Sequence, residues 1–347
     1  MRLYRLRSGA PDRLVLEDAA EPQPGRGQIV MRIHAVSLNY RDLMVAEGRY
    51  AHGSVADGLV PCSDAAGEVI AVGEGVDRVA VGDRVAGLFM GRWLGGPYEE
   101  RYGASALGGS TDGVLAEQVL FDQEAVVRIP DHLDYAEAAT LPCAAVTAWN
   151  ALFGGTPLLP GESVLVQGTG GVSLFALALA RLAGAVVIQT TTSPGKAERA
   201  RALGADELIV IEPDGDWPQA VLDLTQGRGV DHVVEVVGGA NVAGAVRAAR
   251  NGGAVHLIGA QASGSIDPTA VRRRNIVLRG IYVGSRNHFE AMNRAIARAR
   301  LRPLIDRSFP LAAAAEAYAH LKAQAHMGKV VIDVSGEAAG RRQADPR

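Results

Sequence analysis

The chain has 347 residues, 21% of them charged and 48% hydrophobic, with a formal net charge of -3 and a pI near 6.3. That length exceeds what one hydrophobic core organises, so two domains are expected, and the charge excludes a nucleic-acid or membrane-surface partner held by bulk attraction. Two cysteines cannot build a disulfide framework, and no charged-then-apolar leader follows "MRLYRLRSG", so the expected compartment is the reducing cytosol.

From residue 1 to about 130 the pattern is short β-rich segments punctuated by glycine and proline, such as "QIVMRIHAVSLN", "AAGEVIAVGEGV" and "GDRVAGLF". It predicts a β-barrel with few helices. Near 135 the texture changes to the alanine-rich, helically spaced "DYAEAATLPCAAVTAWNALF", with Asp134 placed to cap its first turn.

From 162 to about 284 short apolar runs alternate with helical segments. "SVLVQG", "AVVIQTT", "ELIVI", "DHVVEVVG", "AVHLIGA" and "IVLRGIYVG" read as six strands, nearly continuous in β-branched residues, as a parallel sheet covered on both faces requires. Six such units describe a doubly wound α/β sheet. "LFALALARLAGAVVIQ" is the most apolar stretch, but Arg181 interrupts it well short of the roughly 20 residues that cross a bilayer. The run "RRRN" at 272–275 reads as the solvated rim of a strand.

After 286, "FEAMNRAIARARL" and "LAAAAEAYAHLKAQ" predict two amphipathic helices. "GKVVIDV" predicts a last strand that returns to the first domain and makes it discontinuous. The polar tail over 336–347 is expected to be disordered.

"VLVQGTGGVSLFALALA" places Gly168, Thr169, Gly170, Gly171 and Val172 between a strand and a helix. Glycine suits a sharp turn whose backbone N–H groups approach a pyrophosphate at the positive end of the helix. Ser173 stands where the third glycine of a GxGxxG fingerprint falls, a mild departure. About 20 residues on, where an acidic side chain would bind the ribose of NAD, the chain reads "QTTTSPGKAER". Thr191 takes the acidic slot, and Thr192, Ser193, Lys196 and Arg199 follow, a set that suits a 2′-phosphate and favours NADP(H) over NAD(H). Lys196 and Arg199 fit a solvated helix face as well. At the other strand ends, Val236 and Gly238 of "VVGG" and Ile258 and Gly259 of "LIGA" can present backbone to the nicotinamide.

The motifs "SLNYRDL", "PCSDAAGEVIAVGEGVDRVAVGDRVAG", "DGVLAEQV", "LPCAAVTAWNAL" and "GKAERARALGAD", in that order, resemble the medium-chain dehydrogenase/reductase superfamily over residues 1–335. The resemblance implies a Rossmann cofactor-binding domain at 145–286 and a GroES-like β-barrel catalytic domain from 1–144 and 287–335. It implies a homodimer formed through the cofactor-domain strand "NIVLRGIYVG". In zinc-dependent members three side chains hold the catalytic metal; here those positions fall on Asn39, Ser63 and Cys143, and one thiolate cannot hold zinc. No cysteine lies in the loop at 88–113, so no metal is expected.

The pattern is similar to the zinc-free quinone oxidoreductase-like and enone reductase branch. That implies NADPH-dependent hydride transfer to a quinone or an α,β-unsaturated carbonyl, since an acceptor reduced without a Lewis acid must already be electron-poor. Zinc-free alcohol or aldehyde oxidation, or dinucleotide binding with little turnover, are the alternatives. The candidate catalytic residues are Asn39, Tyr50 and Asp64. Asn39 equally suits a helix N-cap, Tyr50 an exposed loop and Asp64 a set of backbone donors. Cys62, Ser63, Trp93, Cys143 and Thr147 are candidate pocket residues, with Cys143 read as a small apolar side chain. Trp93, with Tyr98 and Tyr102, equally suits a packed lid. Lys329 is implied as a basic contact to pyrophosphate, and Ser285 and Arg286 as further cofactor contacts. His256 reads as a core histidine; His52 and His326 are looser options for proton transfer.

Overall fold

The computed structural model describes residues 1–8, 13–50, 56–259 and 262–336. His52 and the tail beyond 336 lie outside them. Two compact units emerge, Met1–Cys143 with Ser285–Arg347, and Ala144–Gly284.

In the first unit the strands are β1 (Arg2–Leu6), β2 (Leu14–Asp18), β3 (Gln28–Leu38), β4 (Asp64–Val72), β5 (Arg84–Gly87), β6 (Gln118–Asp122) and β7 (Val126–Arg128). The helices α1 (Tyr40–Ala46) and α2 (Tyr135–Ala139) belong to it as well. The second unit runs β8 (Ser163–Gln167), β9 (Val186–Thr191), β10 (Glu207–Val210), β11 (Val230–Glu235), β12 (Ala249–Leu257) and β13 (Val277–Gly280). Its helices are α3 (Val146–Phe153), α4 (Gly171–Leu182), α5 (Pro194–Ala202), α6 (Trp217–Leu224), α7 (Asn241–Ala248) and α8 (Pro268–Arg274). The chain then returns to the first unit with α9 (Arg286–Ala299), β14 (Ile305–Pro310), α10 (Ala314–Lys322) and β15 (Lys329–Asp333).

The first unit is built on one long strand. β3 pairs with β4, β6 and β15, all antiparallel, in a mixed sheet of order β14-β15-β3-β4-β5-β7. Ile29, Met31, Ile33, Val36 and Leu38 of β3 are buried with Val330 and Ile332 of β15 and Tyr318 and Leu321 of α10. Each large apolar side chain so buried stabilises the unit by about 1.5–3 kcal/mol. The terminal strand "GKVVIDV" therefore completes a sheet begun some 300 residues earlier, with Val330 opposite Leu38.

The six expected strands of the second unit are all present and parallel, in the order β10-β9-β8-β11-β12-β13. That is the doubly wound Rossmann order, which reverses between β8 and β11. Asp231 ties it together: its carboxylate accepts from Ser163 N and Oγ, from both Arg228 Nη atoms and from Arg250 Nε. Burial pushes this carboxyl up, but the donors of Arg228, Ser163 and Arg250 win and hold it well below the usual carboxylate range. His256 is a core histidine, as expected. It stacks on His232 with ring centroids 5.3 Å apart, and burial, then the neighbouring His232 and Arg279, lowers its pKa to about 3.

Two expectations are corrected. The alanine-rich helix is broken: Asp134 caps α2 by accepting Glu137 N at 2.8 Å, but Leu141–Ala145 forms a π-helical turn before α3. "RRRN" is a helix end and no strand rim. Asn275 adopts a left-handed C-cap at φ 51°, and Arg274 donates to Val246, Arg247 and Ala249 carbonyls at the end of α7. Among the described residues no helix is long and apolar enough to cross a membrane.

Candidate active site

Where β3 ends, Asn39 leaves the sheet in an extended conformation and starts α1. Its backbone N–H donates to Asp42 Oδ2 at 2.8 Å. Its side-chain carbonyl turns the other way, to Lys329 at the first position of β15, whose Nζ donates to Asn39 Oδ1 at 2.5 Å and to Leu38 O at 2.7 Å. The β3–β15 register sets this pair beside each other. The preceding Gly328 is required, since it holds φ at 86° and a Cβ there would lie 2.4 Å from Leu304 O. Lys329 is 3% exposed. With Oδ1 committed, the Asn39 amide turns its buried Nδ2 donor toward the Asp64 carboxyl, which it helps hold down, without closing a hydrogen bond of full geometry among the described residues. Lys329 Nζ thus orients the Asn39 amide.

Ser63 and Asp64 precede and open β4, and both are fully buried. Ser63 Oγ donates to Asp64 Oδ1 at 2.7 Å, and the backbone N–H of Cys143 donates to Asp64 Oδ2 at 3.0 Å. Asp64 thus joins the π-helical turn to the sheet. Burial raises its pKa, with Lys329 and the hydrogen bonds opposing. Burial likewise raises Asp42 to about 6 against the pull of Arg41. Burial drives both thiols up, which opposes thiolate formation at either. Cys62 meets the Tyr318 hydroxyl at 3.3 Å and sits at φ 69°, a rare conformation for a residue with a side chain.

Tyr50 and Phe89 stack on the Arg41 guanidinium, with ring centroids 4.7 and 4.8 Å from its carbon. Arg41 and Asp42 are the members of this cluster that sequence reasoning passed over, although both stand in "NYRD" beside Asn39. Trp93 is 2% exposed, its indole N–H donating to Gly96 O at 3.1 Å and its ring covered by Tyr98 and Tyr102. Its ring also meets His288 of α9, 6.1 Å between centroids, a packing that suits the lid reading. Ser285 Oγ caps α9 by accepting His288 N, and Arg286 is paired with Glu124, so both expected cofactor contacts have internal roles.

The second unit carries the phosphate-binding turn. Gly168 holds φ at 70°, a conformation only glycine adopts freely, and the Ser173 hydroxyl donates to Gln167 O at 2.6 Å. The serine at the third fingerprint position therefore braces the turn. The N-cap of α4 is Gly170, with no side chain to satisfy the first-turn N–H groups, and a Cβ there would meet nothing within 4 Å. Thr169, Gly171 and Val172 complete the turn, and the residues present fit a dinucleotide pyrophosphate.

At the end of β9, Thr191 is buried and its Oγ1 accepts from Ser193 N at 3.2 Å, while Thr192 is exposed and Lys196 half-buried. Beyond β11, the fully buried Glu235 accepts from Val237 N, Gly238 N and Asn241 Nδ2, and so shapes the loop that holds Val236 and Gly238. Ile258 and Gly259 donate their N–H groups to Glu235 O. A charge inside the apolar run "DHVVEVVG" was the available signal for Glu235. Thr147 lies buried on α3.

The second unit is a Rossmann-type α/β domain, and the first, a separate domain, holds a buried polar cluster. Residues 25–131 match the family described as alcohol dehydrogenase GroES-like domain, and residues 171–298 the family described as zinc-binding dehydrogenase. A zinc-type alcohol dehydrogenase-like protein of Schizosaccharomyces pombe is 39% identical over 332 residues, 93% of this chain and 96% of that protein. A solved putative alcohol dehydrogenase from Sinorhizobium meliloti 1021 superimposes with a TM-score of 0.90 at 40% identity, covering 96% of this chain and 98% of that one. An NAD-dependent alcohol dehydrogenase structure gives 0.85 at 33%, covering 96% and 100%. The chain belongs to the medium-chain dehydrogenase/reductase superfamily and is an alcohol dehydrogenase-like oxidoreductase.

The zinc implied by one family description does not fit the residues. Among the described residues no three His, Cys, Asp or Glu side chains gather to hold a metal. Two of the three ligand positions carry Asn39, whose oxygen already takes an ammonium, and Ser63, whose hydroxyl is spent on Asp64.

Proposed function

We propose that the protein reduces an electron-poor carbonyl acceptor, an α,β-unsaturated carbonyl or a quinone, by hydride transfer from NADPH without a metal. The observation that carries this reading is the Asn39 amide, buried, oriented by Lys329, with an Nδ2 donor that faces Asp64 but closes no hydrogen bond of full geometry among the described residues. The dinucleotide, held by the Gly168–Val172 turn with Thr191, Thr192, Ser193 and Lys196 near its ribose, supplies the hydride when bound.

The chain's own side chains do the rest. Asn39 Nδ2 donates to the carbonyl oxygen as negative charge develops there, and the Lys329 ammonium on its Oδ1 strengthens that donor. Tyr50, a hydroxyl beside the Arg41 cation, delivers the proton. An amide backed by an ammonium stabilises an enolate or quinolate; it does not polarise an unactivated alcohol as zinc does. NADP(H) is favoured because the ribose slot holds Thr191 in place of a carboxylate.

A second reading, alcohol oxidation with NAD, draws support from the neighbour described as NAD-dependent alcohol dehydrogenase. β13 is one of the two edges of the parallel sheet, which supports a homodimer formed through it, and two free cysteines suit the reducing cytosol.

A turnover screen of quinones, enones and primary alcohols, run with NADPH and NADH, separates the readings. The expected result is NADPH oxidation by enones or quinones at rates at least about a hundredfold above any alcohol reaction, the order of one lost electrostatic stabiliser. Alcohol oxidation with NAD as the fastest reaction overturns the proposal.

A further inference from the structure

Arg41 is 9% exposed; its Nη1 donates to Leu107 O at 2.8 Å and to Asp42 Oδ1 at 3.3 Å, and the Tyr50 hydroxyl adds a contact to the guanidinium that helps raise its pKa. Nε and Nη2 close no hydrogen bond among the described residues. These two atoms form the side-on edge of a guanidinium, the one that meets both oxygens of a carboxylate through parallel N–H···O bonds. Asp42 does not fill it, because its Oδ2 accepts the Asn39 N–H and its Oδ1 reaches Arg41 through Nη1 alone. The Tyr50 and Phe89 rings pack against the guanidinium, 4.7 and 4.8 Å from its carbon, and restrain its plane.

A buried donor edge without acceptors is costly unless something arrives to use it. The surrounding charge points to an anion. Arg41 and Lys329 bring two cations to the site, and burial raises both nearby carboxyls, Asp42 to about 6 and Asp64 above its ordinary range. We propose that the Nε–Nη2 edge of Arg41 grips a carboxylate carried by the acceptor, so that the substrates are α,β-unsaturated carbonyl compounds bearing a carboxylate. The inference rests on the reductase reading above and narrows its substrate class.

The test compares 4-oxopent-2-enoate with its methyl ester, using the full chain and NADPH, and measures calorimetric binding of the saturated acid 4-oxopentanoate, which needs no turnover. The wild type is expected to prefer the acid by about 30-fold in kcat/KM, the worth of a charged bidentate contact, with the difference in KM. In Arg41→Lys, which keeps the charge but loses the planar edge, the ratio falls to within about threefold of unity. In Arg41→Met it falls equally, and 4-oxopentanoate no longer binds.

Equal use of acid and ester by the wild type, or a preference that survives Arg41→Met, overturns the proposal. Loss of NADPH affinity with the acid-to-ester ratio intact also overturns it and assigns the edge to a dinucleotide phosphate. If neither compound is reduced, the reductase reading fails, and 4-oxopentanoate binding alone decides the carboxylate site. Should Arg41→Met not fold by circular dichroism, Arg41→Lys decides the comparison.

Discussion

Replacing Asn39 with alanine is expected to lower kcat on the preferred acceptor by about 100- to 1,000-fold, the effect of deleting one oxyanion donor, while leaving dinucleotide affinity within about twofold. The separation follows from where the residue stands. Asn39 belongs to the first unit and touches Lys329, Leu38 and Asp42, whereas the phosphate-binding turn belongs to the second. Stopped-flow measurement of the single-turnover rate, with fluorescence titration of NADPH, reads the two effects apart. Lys329→Met is expected to act in the same direction, because the ammonium fixes the orientation of the amide. Unchanged kcat in Asn39→Ala would remove the amide from the chemistry and reduce it to the start of α1.

The second large effect concerns stability. Asp231→Ala is expected to destabilise the second unit by about 2–4 kcal/mol, since it strips Ser163 N and Oγ of their acceptor, removes the carboxylate partner of Arg228 and leaves Arg250 only its longer contact to Glu162. The partly exposed guanidinium groups rehydrate, which keeps the cost below that of a fully buried pair. Thermal unfolding should drop by roughly 5–10 °C. The folded carboxyl lies below its ordinary value, so its contribution is complete above about pH 4–5 and fades as pH falls through the folded value. The gap between wild type and variant should therefore be flat from neutral to mildly acidic pH and shrink only in strong acid. A variant as stable as the wild type at pH 7 would show that the carboxylate is dispensable.

Much of the architecture was legible because its causes are local. Strands buried on both faces must be rich in Val and Ile, so "SVLVQG" and "AVVIQTT" announce a parallel sheet, and a glycine-rich turn between strand and helix has few other uses. Asp134 could be placed because a cap bonds its own first turn. What escaped depends on residues far apart in the chain. Lys329 and Asn39 are separated by 290 positions, and only the pairing of β15 with β3 brings the ammonium onto the amide.

The π-helical turn at Leu141–Ala145 escaped because the segment has helical spacing throughout; the contact of Cys143 N with Asp64 is tertiary. "RRRN" was misplaced because a left-handed asparagine ends a helix, a conformation composition does not display.

The claim at the centre of this account is that an oriented amide stands in the place of a Lewis acid. Its most direct test is the rate of NADPH oxidation by the best enone or quinone acceptor, before and after exhaustive chelation, with zinc content measured on the same samples. The account predicts an unchanged rate in protein carrying far less than one zinc per chain. A rate that vanishes on chelation and returns with one equivalent of zinc would contradict it.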